Sequence, residues 1–420
     1  MNPSHRSKLF FMMVLELLIW GAWLPLINGY MQDGLGFDDW QRTWVNNAFA
    51  VASVTALFFS NQFADRNFAA ERFLAASHLA GGIALFAMFW VKDFWPFFTL
   101  MLVHSLLYVP TISITNSIAF AHIKDPQKEF GIIRMGGTIG WVAAAWPLFF
   151  LLGSKQGPDA QEAKAWIFIL GGLASFALAA FSLTLPHTPP KRRTEGIQKL
   201  AWLEALSMLK VPFILVLFIV TFIDATIHMG YFYMTGGFLE KGVGLEPKWI
   251  MPVMSLGQIA EIATMAVLGA VLKRLGWKKT MVLGVLGHVA RFGVYAYFPQ
   301  EPWLIILVQV LHGICYAFFF ATVYIFVDEF FPKDARASAQ GIFNLLILGV
   351  GPFVAGIVWP QLEGAMKIAG PAEAPAAVDY QKLFLIPAGL GLVATLLLLF
   401  CFNPPEKAAQ ESASGSAPPH

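Results

Sequence analysis

Charge is scarce in this sequence. Of 420 residues only 13% are Asp, Glu, Lys or Arg, against roughly 25% in an ordinary soluble domain, which argues against a water-soluble globule. Cysteine is scarcer still. Cys315 and Cys401 both sit in apolar stretches, too few for a disulfide framework, a cysteine zinc site or an iron–sulfur cluster, so no metal or cofactor is expected. Twenty-eight basic residues face twenty-six acidic ones, leaving no basic field to hold a nucleic acid. Also missing are a Walker loop, a His-Glu-x-x-His, a Gly-x-Ser-x-Gly and any sizeable polar domain, so neither an enzyme nor a receptor is expected.

Apolar residues are abundant, at 57% of the chain with 15% aromatic, and they come in repeated blocks. A bilayer core takes about 20 apolar residues per helix. On that ruler the blocks predict twelve spans near 9–30, 44–63, 73–91, 95–119, 131–153, 165–185, 212–235, 249–272, 280–298, 302–327, 336–360 and 382–402. The first has no small-residue cleavage pattern after it and reads as a retained helix rather than a signal peptide. Eighteen Lys and Arg fall in loops on the side of the two termini, eight in the opposite loops, and Arg134 and Arg291 inside spans. Basic loops stay inside, so both termini are expected to be cytoplasmic in a multi-pass membrane protein, with the lipid bilayer as its surroundings.

The longest internal polar stretch, with "PHTPPKRRTEGIQK", divides the chain into residues 1–185 and 212–403, joined by a linker at 186–211. Residues 404–420, ending "AAQESASGSAPPH", are an Ala/Ser/Pro-rich tail expected to be disordered. Basic clusters follow the second span of each half, at "FSNQFADRNFAAERFL" and "LGAVLKRLGWKKTMVL", a weak internal repeat. Twelve spans in two sixes resemble the major facilitator superfamily, with two bundles around a midplane cavity. Asp65, Arg66 and Arg72 match its loop signature in part: the usual Gly is missing, and the second copy has Lys273 and Arg274.

A charge at a helix centre costs roughly 2.5–3.5 kcal/mol to insert, so each one needs a reason. Five lie inside spans: Glu16, Arg134, Asp224, Glu261 and Arg291. Arg134, Thr138 and Trp141 recur at i, i+4, i+7, one stripe of a helix. It reads either as a ligand wall or as a snorkelling Arg above a self-bonded Thr, and Gly136, Gly137 and Gly140 between them suit close helix packing. Gln258 and Glu261 share a face. Glu261 is either a proton carrier or half of a permanent ion pair. Asp224, His228 and Tyr231 form a third stripe, in which Asp224 and His228 either relay protons or satisfy each other. His312, Tyr316 and Phe319 form a fourth, read either as a stacking platform for a planar ligand or as plain lipid-facing or core aromatics. Glu16 and Arg291 show no partner in sequence and read as structural. Trp20, Trp23, Tyr30 and Trp95 read as interfacial or packing aromatics.

The segments "LIWGAWLPLINGYM", "YVPTISITNSIAF", "IRMGGTIGWV", "LTLPHTPP", "SLGQIAEIATM" and "ARASAQGIF" together resemble the bacterial nucleoside:proton symporter family over nearly the whole chain. The resemblance implies an all-α transporter that imports nucleosides with protons by alternating access and works as a monomer. Carried over, the family's Arg-x-x-x-Thr-x-x-aromatic run falls on Arg134, Thr138 and Trp141, its Gln-x-x-Glu on Gln258 and Glu261, and its span-ten aromatic on Tyr316. Proton coupling is then expected at Glu261, Arg134 and Asp224, and substrate binding at Arg134, Thr138, Trp141, His228, Gln258, Glu261 and Tyr316. Two departures stand out: Ala317 lies where the comparison has an acid, and Asp224 and His228 stand in for span-seven amides. The alternative on the same scaffold is a carrier of another small polar metabolite, such as a sugar.

Overall fold

The computed structural model describes residues 3–56, 68–123, 126–190, 207–331, 336–368 and 377–404. The Asp65 and Arg66 motif, most of the linker and nearly all of the tail lie outside them. Among the described residues the structure is helical apart from one pair of two-residue strands, Lys367–Ile368 and Ala377–Val378. The principal helices are α1 (Pro3–Gly29), α2 (Asp39–Thr55), α3 (Ala70–Ala87), α4 (Phe94–His122), α5 (Pro126–Leu152), α6 (Trp166–Ser182), α7 (Pro212–Gly237), α8 (Pro247–Tyr297), α9 (Pro302–Phe330), α10 (Ala339–Ala365) and α11 (Tyr380–Cys401). Ten helices among the described residues are long and apolar enough to cross a membrane. α2 is shorter, and the sequence-predicted second span runs on into residues outside the description. The predicted eighth and ninth spans form the continuous run α8, whose one non-helical residue is Gly276 at φ 71°, a left-handed value that suits glycine. The basic cluster thus lies at the sharp joint between two helices, the predicted eighth and ninth spans.

Local chemistry explains the helix starts. Asp38 and Gln41 form a reciprocal capping box on α2. Proline occupies the first turn of α7, α8 and α9, where its missing N–H costs nothing. The ends of α1 and α7 use one device twice: a π-turn, Tyr30–Gly34 or Phe238–Gly242, followed by a positive-φ glycine, Gly36 or Gly244. These copies lie 208 positions apart.

Packing is densest where glycines let backbones meet. α1 lies on α5, with Gly136 against the Phe10 carbonyl and Gly140 against the Val14 carbonyl. α3 lies on α6 and α4, and α8 lies on α9 and α11, where Gly313 meets the Ala260–Glu261 backbone. Helices before and after the linker meet along α1–α7, α2–α10 and α5–α8. On the face away from the chain ends these contacts are ionic. Arg42 pairs with Asp39 at 2.6 Å and with Glu363 at 2.7 Å, Lys164 with Glu240 at 2.6 Å, and Lys241 with Asp33 at 2.6 Å. Arg42 and Lys164, read from sequence as loop charges, are each only 1% exposed.

Candidate functional site

The i, i+4, i+7 stripe on α5 holds together in three dimensions. Arg134, Thr138 and Trp141 are all half-buried, and the Arg134 guanidinium lies over Gly137, where a side chain would collide with it. Facing them across the α5–α8 contact are Glu261, half-buried, and Gln258, buried with its Oε1 unpartnered. The Arg134 charge reaches both Glu261 and Tyr316, yet Arg134 and Glu261 come no closer than 4 Å and form no direct ion pair. Two opposite charges that act on each other without a direct ion pair keep part of their attraction in a low-dielectric interior.

Aromatic rings tie the other predicted residues to these charges. Trp141 lies 5.5 Å from both Trp20 of α1 and Phe232 of α7, edge to face. Phe232 leads to His228 at 5.6 Å, and His228 to Tyr316 of α9 at 6.2 Å. His228 is half-buried, and its Nδ1 has no partner. Such a ring of π-faces with a few polar atoms suits a planar, hydrogen-bonding ligand. Trp20 and Trp23 also line a small pocket with Asn46, Phe49 and Tyr233, and both indole N–H groups are buried without an acceptor. The sequence reading treated them as packing aromatics; two tryptophans three apart on a helix facing two further polar helices were the available signal. A larger pocket opens toward the face of the chain ends, between α2, α4 and α10, lined by Ser53, Ser113, Asn116 and Asn344. Phe49 borders both.

Other expectations are redirected. Asp224 and His228 do not bond each other; the nearest basic group to Asp224 is His288, at 3.6 Å. His312 is a buried core residue, bonded to Arg291 at 3.3 Å and stacked on the His228 ring at 4.8 Å. Phe319 is fully buried in the α7–α9 core, and Tyr316 alone of that stripe feels the charges of both Arg134 and Glu261. Ala317 packs in a small apolar cluster with Leu268 and Phe318. Glu16 and Arg291 both have partners, Glu16 in His78 and Thr111, Arg291 in His288 and His312.

The sequence model of the nucleoside H+ symporter family matches residues 3–407. The chain belongs to that family. The putative nucleoside transporter YegT of Escherichia coli is 34% identical over 351 residues, covering 82% of this chain and 81% of YegT. The E. coli xanthosine permease is 27% identical over 96% of this chain and 98% of the permease. The crystal structure of a point mutant of nucleoside transporter NupG superimposes with a TM-score of 0.84 at 26% identity, over 95% of this chain and all of NupG. A D-xylose–proton symporter, at 12% identity and a TM-score of 0.73 over 95% of this chain and 98% of its own, shares the fold alone. This symporter is therefore a multi-pass membrane transporter of the major facilitator fold that couples nucleoside import to protons.

Proposed function

We propose that the symporter works as a monomer in the bacterial inner membrane, with twelve spans once α8 is divided at Gly276, both termini in the cytoplasm, and two six-helix bundles, 1–185 and 212–403, that rock about a central site. What supports the site assignment is that Arg134 and Glu261, opposite charges on helices from opposite halves, act on each other across the α5–α8 contact beside the Trp141, His228 and Tyr316 rings. A nucleoside there stacks its base on Trp141 or Tyr316, a contact of about 1–3 kcal/mol by analogy with base stacking on proteins. Thr138, Gln258 and His228 offer hydrogen bonds to the base edge and the sugar hydroxyls, and the unpartnered Gln258 Oε1 and His228 Nδ1 are atoms for which a ligand restores a lost bond. The ion pairs opposite the chain ends hold the outer side shut, and the pocket between α2, α4 and α10 is the inner vestibule of an inward-facing state.

In this reading Glu261 carries the proton. Protonation removes its attraction to Arg134, loosens α5 from α8 and permits the halves to rock. The test is uptake of labelled uridine by proteoliposomes with and without an inward proton gradient. Glu261→Gln is expected to lower gradient-driven accumulation on the order of tenfold more than it lowers counterflow at equal pH, a coupling loss of typical size. Equal loss of both contradicts the assignment. Inhibition by free sugars but not by uridine favours the sugar-carrier alternative.

A further inference from the structure

The two halves repeat more than a turn. Positions 208 apart carry Glu16 and Asp224, His104 and His312, Tyr108 and Tyr316, and each acid faces a histidine, His78 of α3 or His288 of α8. In the first half this constellation is closed around the acid, and of its ring nitrogens only His104 Nε2 is buried without a partner. Glu16 accepts from Thr111 at 2.8 Å and pairs with His78 at 3.0 Å; the other His78 nitrogen meets Ser175 at 3.1 Å; His104 Nδ1 donates to the Gly81 carbonyl at 3.0 Å.

In the second half the same framework is open. Asp224 is fully buried, and neither carboxylate oxygen has a hydrogen-bond partner. The His104–carbonyl bond is replaced by Arg291, whose Nη1 meets His312 Nδ1 at 3.3 Å and whose Nη2 meets His288 Nδ1 at 2.9 Å. A guanidinium only donates, so both Nδ1 atoms accept, and the ring proton of His288 lies on Nε2, the nitrogen 3.6 Å from Asp224. An N–H thus faces an acid across a distance too long for a bond. A carboxylate kept only to brace helices is expected to close that distance, as Glu16 does with His78.

We propose that Asp224, backed by His288 and Arg291, is a second proton-binding site of the transport cycle, separate from Glu261. It rests on the proton-coupled reading above. The proton adds to a carboxylate oxygen of Asp224; on its release the carboxylate draws His288 and Arg291 toward α7, which carries His228 and Phe232 at the proposed substrate site. His228 is the way in: it is half-buried beside that site, and its ring lies 5.8 Å from that of His288. The remaining polar neighbours are accounted for. From α7, Tyr231 holds the Arg291 guanidinium over its ring at 4.1 Å. From α8, Tyr295 turns to Gln309, and from α9, the Cys315 thiol lies against Gly287. α10 and α11 meet this part of α7 through Gly351 and Gly391, and the described residues of those contacts carry no charge.

The experiment uses the full chain in proteoliposomes. Asp224→Asn and His288→Gln are each expected to lower gradient-driven uridine accumulation on the order of tenfold more than counterflow, with partial rescue by Asp224→Glu. The infrared difference spectrum between acid and neutral pH is expected to contain a carboxylic C=O band that Asp224→Asn removes and Glu261→Gln leaves. Should Asp224→Asn fail to fold, the Glu261→Gln protein decides, since it keeps Asp224 and must still bind a proton with that band. Wild-type coupling left intact by both variants, or a spectrum without the band, overturns the second site alone. A wild type without gradient-driven uptake overturns the proton-coupled reading itself, so the two failures are distinct.

Discussion

Glu16 and Asp224 occupy equivalent places in two copies of one helical framework, and their surroundings differ in kind. Around Glu16, hydroxyls of Thr111 and Ser175 and the ring of His78 make a closed network, with Tyr108 donating to the Glu16 carbonyl at 2.7 Å. Around Asp224 the hydroxyls are gone, a guanidinium has entered, and the acid is left 3.6 Å from its histidine. A saturated polar network in low dielectric is rigid because every alternative leaves a group unpaired. An unsaturated one has a second state within reach. The comparison teaches that the same kind of acid and histidine pair is braced where small hydroxyls surround it and left open where one fixed charge stands in their place.

Stability measurements sharpen this contrast. The largest effect is expected from Glu16→Ala, which strands His78 and Thr111 in the interior and costs about 3–5 kcal/mol, read as a lowered thermal midpoint in detergent. Thr111→Val removes one bond to the carboxylate while keeping the shape, at about 1.5–3 kcal/mol by the same measurement. Asp224→Asn breaks no hydrogen bond and is expected to cost about 1 kcal/mol or less, even though it impairs coupling. An Asp224→Asn protein destabilised as much as Glu16→Ala breaks the comparison, and makes the second acid a brace as well.

Much of the scaffold was legible without coordinates, because lipid imposes a length and a composition on every span. The α5 stripe was legible too: Arg134, Thr138 and Trp141 share a helix, and helical periodicity alone puts them on one face. Partners between helices were not. Periodicity joins Asp224 to His228, four residues on, whereas the nearest basic group in space is His288, sixty-four residues away on α8. Arg42 and Lys164 read as solvated loop charges and proved to be buried, because the acids that pair with them, Glu363 and Glu240, lie across the molecule. The cavity face of Trp20 and Trp23 was missed for the same reason, since an aromatic turned to lipid and one turned to a cavity look alike in one dimension.

The sequence by itself determined that the chain crosses a membrane many times, how its apolar blocks are spaced, which charges stand inside them and which family it resembles, since each of these depends on composition and local order. The tertiary structure decided which buried charges meet, that Arg134 and Glu261 act on each other without a direct ion pair, and that the first acid–histidine pair is sealed while the second is open. Those outcomes depend on distances between helices far apart in the chain, where a few tenths of an ångström separate a bonded pair from an open one.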